Sequence, residues 1–209
     1  MFNEQVLAKI GISKEDIHFV NDLAYTAGQT AKKRYEDGLT DIETKSEPDD
    51  FVTEVDKELS YFLTGKLKER FPDFNIISEE ETPDSNINND ITTWVIDPID
   101  GTSNYINNDG KYSVMIGLLR NCIPLIGWVY IPSEDRLIVG IPDDGLYEKK
   151  SQNEIYKKEI NTENTLPEKK IKLMMGIRDR KKKPQIKYKI YQFDLLESVS
   201  ICIKFIEII

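Results

Sequence analysis

The sequence predicts an α/β protein, a layered α+β sandwich with helices packed on a largely antiparallel sheet. Two observations predict it. Helical apolar spacing fills most of the first third of the chain, and short apolar runs bounded by acids and turn residues fill the middle third. Ile17, Val20, Leu23, Ala24, Ala27 and Ala31 recur at helical spacing, so one amphipathic helix is expected over about Lys14 to Asp37, stopped by Gly38. Leu39 to Asp49 is polar and reads as a mobile loop. A second helix is expected over about Thr53 to Arg70, with Val55, Leu59, Phe62, Leu63 and Leu67 on one face and Phe71-Pro72-Asp73 ending it. Strands are expected at Asn75–Ser78, Thr92–Ile96, Tyr112–Leu119, Pro124–Ile131, Arg136–Ile141 and Gly145–Glu148, with Arg120-Asn121-Cys122 as a turn between the third and fourth.

Composition shifts after Lys149. Residues 150 to 170 are polar and nearly free of apolar side chains, which suits an excursion or a disordered loop. Residues 169 to 189 are basic, and Leu195 to Ile209 is an apolar tail. The expected organisation is an α+β subdomain over 1–148 and a partial, truncated second α/β subdomain over 149–209, with the chain ending as if cut short.

The bulk numbers narrow the function. A net charge of −9 over 209 residues argues against a binder of nucleic acid polymers, whose phosphates would be repelled. No apolar run reaches the roughly 18 residues that span a bilayer, and Met1 to Ile10 lacks a secretory pattern. Cys122 and Cys202 lie far apart with no metal-type spacing, which suits a reducing cytoplasm. The single histidine, His18, sits at the front of a helical pattern, and no Gly-x-Ser-x-Gly elbow exists. Enzymatic chemistry in this chain would therefore run on carboxylates, hydroxyls and metal.

Three acidic clusters carry the chemical signal. They are Asp49-Asp50-Phe51-Val52-Thr53-Glu54-Val55-Asp56 before the second helix, Ser78-Glu79-Glu80-Glu81 after one strand, and Asp97-Pro98-Ile99-Asp100-Gly101-Thr102-Ser103-Asn104 after another. In the third, a strand delivers Asp97, Pro98 stiffens the turn, and Asp100 returns on the same side. Two carboxylates and the Ile99 carbonyl are oxygen ligands of the kind hard divalent cations take. Gly101-Thr102-Ser103 then opens a short helix whose free amides form an anion site. Metal ligands beside a phosphate cradle suit metal-assisted phosphate ester hydrolysis. Each cluster alone has a plainer explanation: Asp-Pro-x-Asp-Gly is good turn chemistry, Glu79 to Glu81 suits a solvated loop, and Asp50 and Asp56 suit a helix N-terminus.

Asp50-Phe51-Val52-Thr53-x-x-Asp56, the Glu79-Glu80 pair and Trp94-Val95-Ile96-Asp97-Pro98-Ile99-Asp100-Gly101-Thr102-Ser103-Asn104-Tyr105 together resemble the inositol monophosphatase superfamily. This is a group of lithium-sensitive, Mg²⁺-dependent phosphatases that also contains the 3′(2′),5′-bisphosphate nucleotidases. The resemblance is good over residues 14 to 148 and weak beyond. It implies two or three Mg²⁺ ions. Glu79, Asp97 and the Ile99 carbonyl would hold the first, and Asp97 and Asp100 the second. Glu79 and Thr102 would orient the attacking water, supported by Asp50 and Thr53. Amides from Gly101 to Ser103 would hold the phosphate.

The chain also departs from the resemblance. Family members carry a later Trp-Asp-x-Ala-Ala segment whose Asp is a further ligand, and Trp94 and Trp128, the only tryptophans, precede no Asp. The expected second metal site is therefore weakened. Two substrate classes stay open. Asn104-Tyr105 is similar to the inositol monophosphatases, the class favoured here, whereas Asn108 to Val114 is similar to the bisphosphate nucleotidases, and the basic run Arg178 to Lys183, otherwise a solvated charged loop, would suit 3′-phosphoadenosine 5′-phosphate. A non-catalytic relic that binds metal or phosphate without turnover is the alternative of another kind. The expected partner is a small phosphorylated metabolite, with no nucleic acid and no membrane, and a homodimer is the assembly the resemblance allows.

Overall fold

The computed structural model describes residues 2–38, 42–44, 51–81, 91–121, 123–142, 144–150, 154–158, 171–175 and 193–197, the last two segments as backbone only. The chain opens with helix α1 (Glu4–Ile10) and helix α2 (Lys14–Glu36). Asn3 caps α1, and Gly11 ends it in the left-handed conformation. Ser13 and Asp16 form a reciprocal capping box at the start of α2. Strands β1 (Ile42–Thr44) and β2 (Phe51–Thr53) make a small antiparallel pair that leads into helix α3 (Glu54–Arg70).

The main sheet has seven strands in chain order: β3 (Asn75–Ser78), β4 (Thr93–Asp100), β5 (Ser113–Arg120), β6 (Ile123–Ile131), β7 (Arg136–Ile141), β8 (Gly145–Lys150) and β9 (Tyr156–Lys158). The pair β3 and β4 is parallel, and every later neighbour is antiparallel. A one-turn helix, α4 (Thr102–Ile106), joins β4 to β5. Strands β10 (Ile171–Met175) and β11 (Phe193–Glu197) form a separate parallel pair.

Alternation along the strands decides which face is buried. Trp94 and Ile96, Val114, Ile116 and Leu118, and Ile126, Trp128 and Tyr130 are all buried. They point at the face where α2 packs on β5 and β6 and α3 packs on β3 and β4. The two helices run antiparallel, tied at one end by Arg70 to Asp16 (2.8 Å) and at the other by Arg34 to Glu58 (2.7 Å). His18 is exposed, as its place at the front of a helical pattern suggests.

Two of the segments expected to be loops carry strands. β1 lies inside Leu39–Asp49, and β9 lies inside residues 150–170. Both are three residues long, too short for any period to register, and each exists through antiparallel pairing to the neighbouring strand of the chain, β2 for β1 and β8 for β9. β4 also runs past Ile96 through Pro98 to Asp100.

Gly28 fixes how closely α2 approaches the sheet. A Cβ there would sit 2.5 Å from two ring carbons of Tyr130 and 2.8 Å from Pro132. The Tyr130 hydroxyl bonds Gln29 and Asp135, so the ring is not free to swing aside. Gly28→Ala is expected to lower stability. Overpacking costs about 1–3 kcal/mol, which exceeds the roughly 1 kcal/mol of helix propensity that alanine returns. A thermal melt with an unchanged or raised midpoint would contradict this packing.

Candidate metal and phosphate site

The site begins with an irregularity in β4. Asp97 is opposite Met115 of β5 and Asp100 is opposite Ser113, so β4 takes three steps where β5 takes two. In a regular strand, residues three apart point to opposite faces. One extra residue reverses that parity and brings Asp97 and Asp100 to the same side. Pro98 lies inside the irregularity, where its lack of an N–H breaks no ladder bond.

Strand β3 lies parallel to β4 with Ser78 beside Ile96, and the Glu79 amide donates to the Ile96 carbonyl at 3.0 Å. This continuation sets Glu79 next to Asp97. Burial, the charges of Glu79 and Asp100, a hydrogen bond with Glu79 and the charge of Asp56 together hold the Asp97 carboxyl well above the usual carboxylate range. Asp100 is buried and accepts a long bond from the Ser113 hydroxyl at 3.4 Å.

The second part of the site comes from the start of α3. Thr53 is the helix cap, and one oxygen of Asp56 takes the Thr53 amide (2.8 Å) and the Thr53 hydroxyl. The other Asp56 oxygen lies 3.2 Å from the Thr102 hydroxyl, which is also 3.2 Å from the Ile99 carbonyl. A threonine hydroxyl has one proton to give. A bond to a carboxylate is the stronger choice, which leaves the Ile99 carbonyl oxygen available to another partner. Gly101 adopts φ 93°, a left-handed conformation that costs glycine nothing, and this turns the chain from β4 into α4. The first backbone donors inside α4 are the amides of Asn104 and Tyr105, both to the Gly101 carbonyl. The Thr102 and Ser103 amides precede them at the open end of the turn.

Glu79, Asp97, the Ile99 carbonyl, Asp100 and Thr102 therefore come together, with Gly101 and Ser103 alongside. Thr53 reaches Thr102 only through Asp56, and Asp50 lies outside the described residues. So does Arg178 to Lys183, the run expected to suit a doubly phosphorylated substrate. Asp56 is the member that sequence reasoning passed over, as a helix N-terminal acid. Its place at a helix N-terminus was legible, but the bond to Thr102, 46 positions away, was not.

Among the described residues, no group of three or more His, Cys, Asp or Glu side chains is arranged so that it could hold a metal ion by itself. The donor set nonetheless fits a hard cation. It is all oxygen, and it concentrates negative charge on one spot, where burial and like charges oppose the Asp97 carboxylate and a divalent ion would offset them.

The model of the inositol monophosphatase family matches residues 13–199 of the chain. The inositol-1-monophosphatase of Bacillus subtilis (strain 168) is 36% identical over 121 residues, which is 58% of this chain and 45% of that protein. Inositol monophosphatase 1 of Solanum lycopersicum is 33% identical over 166 residues, 75% of this chain and 60% of that protein. The chain thus spans about half the length of the curated relatives it matches. In fold it is similar to the solved structure of an IMPase from Thermotoga maritima, with a TM-score of 0.73 and 21% identity over 90% of this chain and 70% of that one.

Proposed function

Because the chain belongs to the inositol monophosphatase family, we propose that it carries the metal-binding half of a Mg²⁺-dependent phosphomonoesterase acting on a small phosphorylated metabolite of the inositol monophosphate class. The observation that carries the proposal is the parity reversal in β4, which sets Asp97 and Asp100 on one side beside Glu79. In this scheme Glu79, Asp97 and the Ile99 carbonyl hold one Mg²⁺, and Asp97 and Asp100 hold a second. Bound Mg²⁺ supplies Lewis acidity toward the phosphoryl group and acidifies water. The Thr102 hydroxyl donates its hydrogen bond to Asp56, so the Thr102 oxygen faces the attacking water as an acceptor, and Glu79 is the second group that orients that water. The Thr102 and Ser103 amides receive phosphate oxygens. Thr53 supports Asp56, and Asp50 is assigned to the same support.

The proposal includes lithium sensitivity, homodimeric assembly and a division into subdomains at residues 148 and 149. It also includes a cytoplasmic setting, in keeping with the two widely spaced cysteines. No described helix is long and apolar enough to cross a membrane. The test is phosphate release from inositol 1-phosphate and 3′-phosphoadenosine 5′-phosphate, side by side, with and without Mg²⁺. Mg²⁺-dependent release from the first, suppressed by lithium, is expected. Mg²⁺ binding with no release from either ester would overturn the proposal in favour of a non-catalytic binder.

A further inference from the structure

The helix that carries Thr102 is a single turn. α4 has five residues, and Gly101 before it provides no side-chain cap. One turn has almost no stability of its own, so its position must be set from outside. Tyr105 lies three residues after Thr102 and is 1% exposed. Its hydroxyl donates to the Ala31 carbonyl of α2 at 2.7 Å, across 74 positions of sequence. Its ring is held edge-on between Tyr35 (5.7 Å) and Tyr112 (5.0 Å), which aims the hydroxyl at that carbonyl. α2 is a fixed reference, a 23-residue capped helix paired to α3 at both ends.

We propose that the Tyr105 hydroxyl is a positioning group, tethering α4 to α2 so that Thr102 and the Thr102 and Ser103 amides keep their place over the Glu79, Asp97 and Asp100 cluster. This rests on assigning that turn to the phosphate. The bond is not needed to satisfy α2, because a carbonyl inside a helix already accepts the amide four residues on. A phenylalanine would keep the ring contacts and remove the buried hydroxyl's own need for a partner. The hydroxyl therefore contributes direction rather than packing.

The decisive variant is Tyr105→Phe in the full chain. Hydrogen exchange at the amides of residues 104 and 105 is expected to quicken relative to those of α2 and α3. Inorganic phosphate, titrated in the presence of Mg²⁺, is expected to bind roughly two- to tenfold more weakly, the equivalent of one net hydrogen bond. Mg²⁺ affinity alone should stay within about twofold, since none of the three carboxylates sits on α4. Unchanged exchange and unchanged phosphate affinity would overturn the tether. A parallel loss of Mg²⁺ affinity would also overturn it, because the hydroxyl would then be supporting the whole site. If the unmodified chain releases no phosphate from any ester, the functional assignment fails, while the exchange measurement still judges the tether.

Discussion

Asp97→Asn is expected to reduce Mg²⁺-dependent phosphate release at least about a hundredfold while making the metal-free protein more stable. The two effects share one cause. Asp97 is half-buried beside Glu79, Asp100 and Asp56, so its ionised form is opposed by desolvation and by three like charges. A cation converts that repulsion into attraction. Asparagine removes the repulsion and the ligand together. The sign of the pH dependence follows. In the unfolded chain this carboxyl ionises near its ordinary pKa, about 3.9, and in the folded chain well above it. Stability attributable to this group is therefore intact below the ordinary value and is lost as pH rises toward the folded one.

The gain from Asp97→Asn, measured in excess chelator, should accordingly widen with pH across that interval. It should exceed about 1.4 kcal/mol, the equivalent of one pKa unit, or roughly 3–5 °C of melting temperature. A variant less stable than the parent at pH 8 in chelator would show that the carboxyl supports the fold. A variant with full activity would remove Asp97 from the metal site.

Trp94→Ala is expected to have the largest effect on stability. The Trp94 side chain is fully buried and lies 5.1 Å from the Phe71 ring and 5.7 Å from the Trp128 ring, at the junction of α3, β4 and β6. Large aromatic truncations cost about 3–5 kcal/mol, which corresponds to roughly 6–20 °C of melting temperature for a chain of this size. Trp94→Phe should cost much less. Among the described residues, the indole N–H of Trp94 has no hydrogen-bond acceptor, so phenylalanine loses packing but discards an unsatisfied polar group. Trp128 is the contrast, since its N–H donates to the Asn21 side chain at 3.0 Å. Equal losses for the alanine and phenylalanine variants would mean that the N–H is paired. Trp94 lies in β4, the strand that delivers Asp97, so the alanine variant should also weaken Mg²⁺ binding.

The long elements were legible because each repeats its own period. α2 is expected over Lys14–Asp37 and found over Lys14–Glu36, and Asn75–Ser78 and Arg136–Ile141 match residue for residue. α1 was not expected from the sequence: its seven residues, Glu4–Ile10, are too few for a helical period to register. β1 and β9 offered no such sign. Pro98 suggested the end of a strand, yet β4 absorbs it in an irregularity and continues.

The sequence by itself suggested the chemistry. Clustered carboxylates, a single histidine and a glycine turn after an acidic strand point toward a hard cation and an anion as the ligands proposed for these residues. It also determined the two long helices, since their apolar faces are set by neighbours three and four positions apart. Only the tertiary structure decided which acids meet. Asp97 and Asp100 share a side because β5 takes one residue fewer than β4, and Asp56 reaches Thr102 because α3 packs on β4. Register and packing are agreements between distant segments, and no local pattern in either segment encodes them.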